Sequence, residues 1–366
     1  PIDEYLRQVK DFNHEVRAAA LTRAGALERA AEGGLLFSPQ FFTTIQHADD
    51  KRPNSLSVFM GDEQIAESFS VGFSKQFHFG LQTKLYYSVT QTSLLGINTA
   101  VLSAIMPHGT DPSPSQYFDT GLTFELSQPL WKNAFGKSNN LAEEAVWAQA
   151  RAVAHGASFR INVLLADAES RYWDLAIARE LISVWQQSLE HTIKVRDFNA
   201  KRERLQLIDR ADLLQSEAAV KARQLDLKSS LDDEHSTARA FNSSRGTDSD
   251  EVSEILLLPN IQAINALEIP GRAQKKEDLK AAEEALKAAT ASNEMARDKI
   301  LPSLDVFSSL SVNARNESFG GAASESFGTS HPFAMIGLRF SMPLDMGTTA
   351  SVRSGYLKEI RGAELN

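Results

Sequence analysis

The chain has 366 residues, and its 47 acidic side chains outnumber its 38 lysines and arginines, which gives a formal net charge of −9. An acidic chain whose basic residues are dispersed rather than clustered argues against nucleic acid as a partner. The sequence contains no cysteine, which excludes disulfides, thiol catalysis and thiolate zinc sites. No apolar run reaches the length of a membrane-spanning helix.

The first third of the chain predicts one helix followed by strands and loops. Apolar residues recur at helical spacing through residues 1–34, and Gly33-Gly34 ends that helix. Residues 35–47 predict a strand, and the polar residues 49–67 predict a surface loop. From Gln76 to Val89 apolar and polar residues alternate, which predicts one long, half-buried strand.

The next predicted strand ends in aromatic residues. Residues 117–130 alternate between apolar and polar side chains, with Tyr117, Phe118 and Trp131 at the two ends. Aromatic residues at strand ends are typical of the interfacial girdles of outer-membrane β-barrels. A soluble sandwich strand with aromatic ends fits the same pattern, so this strand alone leaves both classes open.

Residues 137–245 predict two long helices. The stretch has no proline and one glycine, Gly156, and its apolar residues recur every three or four positions from Leu141 to Phe198. A helix over that range is roughly 85 Å long at about 1.5 Å per residue. Such a helix is too long for a compact domain and predicts lengthwise packing against other long helices. A second helical run follows at Asp212–Phe241.

The last third predicts a connector, a helix, two strands separated by a Gly/Ser-rich loop at 313–331, and the start of another helix. Seven segments result: an N-terminal helix (1–34), a first β-hairpin (35–130) with an enlarged insertion (49–115), a long helical hairpin (131–246) with its tip at 201–214, a connector (247–274), a helix (275–299), a second β-hairpin (300–347) and the start of a second long helix (348–366).

A unit of helix, strand, loop, strand and helix occurs twice. Its entry strands are Leu36–Phe41 and Ile300–Leu304, and its return strands are Gly121–Leu130 and Gly337–Leu344. Each return strand contains a proline near its end and is followed by a glycine before the next helix, and proline can start a helix but cannot continue a strand ladder. The first copy is enlarged between its strands. Repeats of this size mark arrays or barrels built by duplication.

Alternation in the two return strands divides their residues between two faces. In a membrane barrel one face meets lipid and the other a watery lumen, and strands that cross lipid must close into a barrel. Four strands are too few to enclose a channel, so such a barrel needs several chains. The predicted lipid-facing residues are Leu122, Phe124, Leu126, Leu338, Phe340 and Met342. The predicted lumen-facing residues are Thr123, Glu125, Arg339 and Ser341.

Four segments carry a resemblance to a known family. They are Leu126–Gly136, Asp278–Glu283, Leu301–Val306 and Gly337–Leu344, and their order and spacing extend over nearly the whole chain. On these residues the chain resembles the TolC-like outer membrane factor family, or outer membrane efflux proteins. Members of that family are the exit ducts of efflux pumps and type I secretion systems.

The resemblance implies an α+β membrane protein of the outer membrane of a Gram-negative bacterium, with its helices in the periplasm. Each chain would be one protomer of a homotrimer and would give four or more strands to a shared transmembrane β-barrel in outer-membrane lipid. Its long antiparallel helical hairpin would form part of an α-barrel, the periplasmic tunnel. The implied partners are a periplasmic adaptor protein and an inner-membrane pump that supplies the energy.

The resemblance also places the tip of the helical hairpin, which meets the adaptor and gates the pore, at residues 201–214. The tip residues carried over are Asp209, Arg210, Asp212, Leu213 and Leu214. Asp209 and Asp212 either form part of an acidic constriction that selects cations or cap the second helix. The family usually has a glycine in this turn, near the place where this chain has Lys201–Arg204.

Two further departures from the family pattern concern length. Residues 49–109 are longer than the family core needs, and residues 76–90 within them either extend the first barrel strand or form an extra hairpin at the outer face. The family's second helical hairpin would follow Asn366, so the sequence is interpreted as a fragment of a longer protein.

No constellation of residues indicates an enzyme, a cofactor or a metal site. The eight histidines show no ligand spacing, and no Gly-rich loop precedes a lysine as in a phosphate cradle. The favoured function is a passive exit duct of a tripartite efflux pump or a type I secretion system. The alternative is a soluble coiled-coil scaffold or stalk with a small β domain that binds a partner. The exported substrate stays open, since specificity lies mostly in the pump.

Overall fold

The computed structural model describes residues 1–53, 61–97, 115–258 and 276–365. Its helices and strands are α1 (Ile2–Phe12), α2 (His14–Arg29), β1 (Gln40–Asp50), β2 (Glu63–Gln76), β3 (Gln82–Leu95), β4 (Gln116–Pro129), α3 (Lys137–Arg204), α4 (Arg210–Ser244), α5 (Glu277–Lys299), β5 (Ser303–Asn316), α6 (Phe319–Glu325), β6 (Pro332–Ser341) and α7 (Met346–Leu365). The predicted combination of long helices with an antiparallel sheet is confirmed. Two compact units form: the helical unit, Pro1–Glu28 with Ala150–Glu283, and the sheet unit, Arg29–Gln149 with Glu284–Asn366.

The N-terminal region contains two helices rather than the single helix predicted for residues 1–34. Asn13 has an extended backbone, with φ −67° and ψ 123°, which ends α1. Its side-chain Oδ1 accepts the amides of Glu15 at 2.9 Å and Val16 at 3.0 Å, as an N-cap side chain does. Residues Ala30–Phe37, predicted as a helix end and the start of a strand, form a 3₁₀ segment before β1.

The helical unit packs around three aromatic rings. Tyr5 of α1 stacks on Phe241 of α4 with ring centroids 4.0 Å apart, and Tyr172 of α3 lies 5.8 Å from Tyr5. The Tyr5 hydroxyl donates to the carbonyl oxygen of Phe241 at 3.2 Å, so the phenol is satisfied inside the core. All three rings are buried, and burial raises the pKa of the Tyr5 hydroxyl. The apolar stripe of α1 is therefore covered by both long helices.

The sheet unit contains six strands in one antiparallel meander, in the order β1-β2-β3-β4-β5-β6. Each of β2, β3, β4 and β5 has 14 residues. At roughly 3.4 Å per residue such a strand is about 48 Å long, whereas strands of globular proteins commonly have about 5–6 residues. The strands are long enough to cross the hydrocarbon core of a bilayer, about 30 Å thick, even when tilted.

Two predictions for the first β-region are wrong. Glu63–Gln76, assigned in part to a surface loop, is strand β2. The predicted strand Gln76–Val89 is interrupted by a turn at residues 77–81, in which Gly80 has φ +87°. Phe79 lies in the turn, but its odd number happens to fit the apolar positions of the predicted strand, so the alternation looks unbroken. Gly80 is the residue that indicates the turn.

The remaining differences concern connections. Residues 313–331, predicted as a loop, contain the short helix α6. Of the predicted connector 247–274, residues 259–274 lie outside the described residues. Residues 54–60 and 98–114 of the predicted insertion also lie outside them.

Candidate functional site

Cross-strand pairing gives the sheet one apolar and one polar face. In one row, Phe73 of β2 lies opposite Leu85 of β3, Leu85 opposite Phe124 of β4, and Phe124 opposite Leu310 of β5. Successive residues of a strand point to opposite faces, so residues two positions away extend the same face. The apolar face comprises Phe41, Ile45, Phe69, Val71, Phe73, Leu85, Tyr87, Val89, Leu122, Phe124, Leu126, Val306, Leu310, Val312, Ile336, Leu338 and Phe340.

Much of the apolar face is open to solvent within the chain. Ile45 is 80% exposed, Ile336 79% and Leu338 70%. A continuous exposed apolar surface of this kind marks contact with lipid or with another protein. Five of the six predicted lipid-facing residues lie on this face: Leu122, Phe124, Leu126, Leu338 and Phe340. The sixth, Met342, is the residue directly after the end of β6.

The opposite face is polar. Serine, threonine and glutamine are frequent there, and a cavity of about 590 Å³ opens on it between Gln40, Lys84, Ser309 and neighbouring side chains. All four predicted lumen-facing residues lie on this polar face: Thr123, Glu125, Arg339 and Ser341.

Charges on the polar face are arranged as opposite pairs on neighbouring strands. Both carboxylate oxygens of Asp119 accept from the Arg315 guanidinium, at 2.7 and 2.9 Å. Glu125 accepts a hydrogen bond from the Tyr86 hydroxyl at 3.0 Å. The residue pairs directly opposite each other are Lys84 with Glu125, Asp119 with Arg315, and Asp305 with Arg339. Because their charges are opposite, these pairs add little net charge to the polar face.

The short helix α6 packs on the apolar face at the end of the sheet where β4 begins. The Thr120 hydroxyl donates to the Ala322 carbonyl at 2.8 Å, and the Tyr87 ring stacks on Phe327 with centroids 6.0 Å apart. Ala322 is fully buried. Sequence reasoning assigned this segment to a flexible loop, because the small residues that let α6 approach the sheet closely are also the residues of flexible loops.

The aromatic residues at the start of β4 belong to different faces. Tyr117 lies on the polar face, where the Arg315 guanidinium stands 4.2 Å from its ring centroid. Phe118 lies on the apolar face and meets Phe319 of α6 at 6.1 Å. Since neighbouring residues of a strand point to opposite sides, only Phe118 contributes to an aromatic end on the apolar face.

A close backbone contact holds the base of the sheet, where β4 leads into α3. Gly80 in the β2–β3 turn and Gly136 before α3 have φ +87° and +79°. A Cβ on Gly80 would lie 2.5 Å from the Gly136 nitrogen, so both positions require glycine. The Gln128 side-chain amide donates to the Phe79 carbonyl at 3.1 Å, which ties β4 to the same turn.

The junction between β4 and α3 is capped by Asn133. Its Oδ1 accepts the amides of Ser138 at 2.9 Å and Asn139 at 3.2 Å, at the start of α3. Its own amide donates to Oδ2 of Asp298 on α5 at 2.7 Å, and Asp298 is buried. One side chain therefore starts the long helix while its backbone fixes α5 against the same junction.

The tip between α3 and α4 exposes its side chains. Asp209, Arg210 and Asp212 are exposed, Leu213 is half-buried and Leu214 is exposed. Asp209 occupies the N-cap position of α4, where its carbonyl accepts the Asp212 amide at 3.1 Å. Asp212 lies in the first helical turn, where a carboxylate interacts favourably with the helix dipole. Asp209 makes no side-chain capping hydrogen bond, so the choice between a gate and a helix cap for these two aspartates stays a prediction.

Gln206 forms the turn that ends α3, and sequence reasoning missed it. It has φ +59°, its amide donates to the Glu203 carbonyl at 2.8 Å, and the Leu207 amide donates to the Arg202 carbonyl at 2.9 Å. These two bonds are those of a Schellman motif, in which the left-handed residue is usually glycine. The glycine expected in this turn from the family resemblance therefore corresponds in geometry to Gln206, two residues beyond Lys201–Arg204.

Across the described ranges, no helix has the length and apolar character needed to cross a membrane. Within those same ranges, histidine, aspartate and glutamate side chains do not gather in threes as a metal ion would need.

Comparison with known proteins places this fold. No protein-family model and no curated protein matches the sequence. Solved structures do match: the outer membrane protein VceC of Vibrio cholerae aligns with 100% of this chain and 74% of its own, with 12% identity and a TM-score of 0.64. The chain has the TolC-like outer membrane channel fold. The outer-membrane channel OprN gives a TM-score of 0.66 at 13% identity, covering 100% of this chain and 69% of OprN.

The open state of the Neisseria gonorrhoeae MtrE outer membrane channel gives the same result, with a TM-score of 0.59, 16% identity, and coverage of 99% of this chain and 68% of MtrE. The resemblance to TolC-like proteins is thereby confirmed at the level of fold. In a TolC-like fold, the two-faced sheet and the tip of the helical hairpin are the surfaces to consider for function.

Proposed function

We propose that this protein is a subunit of a homotrimeric outer-membrane channel, a passive exit duct for solutes delivered by an inner-membrane pump through a periplasmic adaptor. The observation that carries the proposal is the sheet with an exposed apolar face and a polar face on which a cavity opens. An open sheet leaves the backbone groups of its edge strands unpaired, which lipid does not tolerate. Closure with further copies removes the two edges, β1 and β6, which run antiparallel to each other.

The height of the apolar band supports a membrane location. On β4 the positions of the apolar face extend from Phe118 to Leu126, with Thr120 among them, and α6 covers the Phe118–Thr120 end. Those eight steps correspond to about 27 Å along the strand, or about 21 Å of height at a tilt of about 40°. Outer-membrane barrels present an apolar band about 25 Å tall to lipid. The polar face, in the same arrangement, would line a hydrated lumen.

The tip supports docking of a partner protein. Leu205, Leu207 and Leu214 are 69%, 62% and 55% exposed around the turn. Leucines exposed beside Arg210 and Asp212 combine apolar contact with charges of both signs, which is the composition of a protein interface with an apolar centre and a polar rim. A periplasmic adaptor is the partner proposed for this surface. The duct would serve a tripartite efflux pump or a type I secretion system.

Fractionation tests the duct directly. We expect the native protein in the outer-membrane fraction, extracted only with detergent, with a mass in detergent of three chains and a trimer band that disappears on heating. Reconstituted in a planar bilayer, it should form hydrated pores without any energy source. A monomer or dimer that stays soluble without detergent would contradict the proposal.

The second candidate, a soluble scaffold or stalk with a partner-binding β domain, is disfavoured by the sheet. Ile336, Leu338 and Phe340 on the edge strand β6 are all exposed, and a soluble protein rarely leaves so apolar an edge uncovered. A purified protein that is monodisperse without detergent would favour this candidate over the duct.

A further inference from the structure

Strands β2 and β3 are an insertion into a duplicated plan. The repeated unit of helix, strand, loop, strand and helix is completed by β1 and β4 in its first copy and by β5 and β6 in its second. In the second copy the two strands are neighbours, whereas in the first copy β2 and β3 stand between them. Without this hairpin the chain would contribute four strands to a wall, and with it the chain contributes six.

The inserted hairpin is part of the wall along its whole length. β2 pairs with β1 from Gln40 opposite Ser74 to Asp50 opposite Gln64. β3 pairs with β4 from Gln82 opposite Ser127 to Ser93 opposite Gln116. Residues 76–90, which the sequence left open between an extension of the first barrel strand and an extra hairpin at the outer face, belong to a hairpin whose two strands are both paired within the sheet.

The two faces of the sheet continue through the hairpin. Phe69 and Phe73 of β2 lie on the apolar face, and Ser70 and Ser74 lie on the polar face. A hairpin that projected from the wall into water would have no reason to keep one apolar side in register with its neighbours. The side chains of the hairpin are distributed as those of a barrel wall are, with one face for lipid and one for the lumen.

The hairpin is also fixed at its base. The His78 ring in its turn stacks on Phe37 at 3.8 Å, and the His78 carbonyl accepts from the Asn140 side-chain amide at 3.1 Å. Gly80 and Gly136 bring the turn into backbone contact with the junction that starts α3. These contacts hold the hairpin in the sheet at the same level as β4.

We infer that the inserted hairpin widens the channel, so that three chains of six strands close as an eighteen-stranded barrel whose lumen admits solutes up to about 20 Å across. This inference rests on the proposed function, which supplies the trimer. An even number of strands per chain keeps β6 antiparallel to β1 of the next copy, so the insertion does not disturb closure.

Barrel geometry gives the size of the effect. At a spacing of about 4.8 Å and a tilt of about 40°, each strand occupies about 6.3 Å of circumference, so eighteen strands give a backbone diameter of about 36 Å and twelve give about 24 Å. Eight strands give about 16 Å, a width that side chains just fill. Subtracting that width leaves a lumen of about 20 Å for eighteen strands and about 8 Å for twelve.

A deletion separates the two sizes. Residues 51–116 are replaced by Asn-Gly, a two-residue hairpin turn, so that Asp50 lies opposite Tyr117 with both on the polar face. Poly(ethylene glycol) is added on the barrel side of a planar bilayer. We expect polymers of up to about 10 Å radius to lower the conductance of the native channel, and the limit for the deletion variant to fall to about 4 Å. An equal limit for both channels would overturn the inference.

A labelling experiment gives the same answer without a deletion. The chain has no cysteine, so a single introduced thiol is the only reactive one. Ser70→Cys places that thiol on the polar face of β2, and the matched control Val71→Cys places it on the apolar face one residue away. We expect a charged, membrane-impermeant thiol reagent to lower the conductance of the Ser70→Cys channel and to leave the Val71→Cys channel unchanged. Unchanged conductance at both positions would place the hairpin outside the wall and overturn the inference.

Electron micrographs of the detergent-solubilised protein distinguish failure of this inference from failure of the proposed duct function. A trimer with an eighteen-stranded barrel about 36 Å across supports the inference. A trimer with a twelve-stranded barrel and a projecting hairpin overturns the inference and leaves the duct standing. A protein that forms no trimer overturns both.

Discussion

At the scale of single residues, a few positions have a backbone conformation that their side chains do not favour. Among the described residues, the non-glycine positions with positive φ are Asn133 at 56°, Phe135 at 50° and Gln206 at 59°. A left-handed conformation costs an ordinary residue about 1–2 kcal/mol. All three lie where a long helix begins or ends, so the requirements of the junction and the tip override local preference there.

Gly136, next to Phe135 at the same junction, also has a positive φ and leaves no room for a side chain. In Gly136→Ala the new Cβ would lie 1.9 Å from the His78 carbonyl oxygen, at a φ of +79°. We expect the sheet to lose about 2–3 kcal/mol of unfolding free energy in detergent, measured by urea titration of the heat-sensitive form. The control is Gly156→Ala in α3, where a Cβ meets nothing within 4 Å and where alanine should gain about 0.5–1 kcal/mol. Equal effects at both positions would contradict this account.

Gln206 offers a test in the opposite direction. Gln206→Gly should stabilise the tip by up to about 1 kcal/mol, because glycine adopts the left-handed conformation without the cost that a Cβ carries. Slower amide exchange at Leu207, whose amide closes the turn at 2.9 Å, is the measurement. Gln206→Ala keeps a Cβ and is the control, and it should leave the exchange rate close to that of the native protein.

Glu277 at the start of α5 should make the helical unit sensitive to acid. Hydrogen bonds from Lys280 at 2.8 Å and with His155 at 2.6 Å lower the pKa of its carboxyl below the usual 4.5. A carboxyl with a lowered pKa in the folded state stabilises fully above its unfolded pKa and loses that contribution as pH falls through the folded value. The stability difference between native protein and Glu277→Gln should therefore shrink as the pH falls below about 4.5. Denaturant titrations across pH measure it, and Glu169→Gln, an exposed acid on α3, is the control.

At the scale of secondary-structure elements, the alternation of the strands is the feature that joins sequence to function. Phe124 of β4 lies between Leu85 and Leu310 on neighbouring strands, all on the apolar face. The helices differ from the strands in this respect. The pattern of α1 shows which of its residues are buried, but not that the rings of Tyr172 and Phe241 are what cover them. The strands therefore reveal their environment directly, whereas the helices reveal only that they are packed.

A charge on the apolar face tests whether that face meets lipid. Phe124→Lys should reduce folding into a bilayer by about 2–4 kcal/mol, the cost of lysine near the midplane on the lipid face of a barrel. The fraction of heat-sensitive folded protein in lipid vesicles is the measurement. Ser309→Lys is the matched control, because Ser309 lies on the polar face opposite Glu125 and a lysine there meets a carboxylate. If both variants fold equally well, the apolar face is not the lipid-facing one.

At the scale of the whole molecule, two compact units have separate cores. The helical unit is centred on Tyr5, Tyr172 and Phe241, while the sheet unit is organised by its strand register and by the contact of Gly80 with Gly136. A substitution in one core should therefore leave the other unit folded.

Phe241→Ala tests this separation. Removing a ring that is 1% exposed and stacked on Tyr5 should cost the helical unit about 3–5 kcal/mol. Limited proteolysis should then cut α1 and α4 faster, while the heat-sensitive form of the sheet persists in detergent. The surface substitution Leu225→Ala on α4, where the side chain is 68% exposed, is the control. Loss of the heat-sensitive form in Phe241→Ala would show that the two units fold as one.

How far the sequence predicts this protein depends on the range of the interactions involved. The long helices and the strands β4, β5 and β6 were predictable because their apolar residues repeat with the period of one element. The turn at residues 77–81 was not, because Phe79 continues the alternation and the contact of Gly80 with Gly136 joins residues far apart in the chain. The packing of α6 on the sheet was missed for the same reason, since the buried Ala322 contacts β4, where the Thr120 hydroxyl donates to its carbonyl.

The sequence by itself determined the periods of the helices and strands, the duplicated unit and the two sets of residues on the return strands, since each depends on local spacing along the chain. Only the tertiary structure decided that β2 and β3 stand between β1 and β4, that a cavity opens on the polar face, and that Gln206 forms the turn at the tip. Strand order and the cavity arise from pairing between distant segments, of which a local pattern carries no record, and the turn at the tip has glutamine where glycine would have marked it.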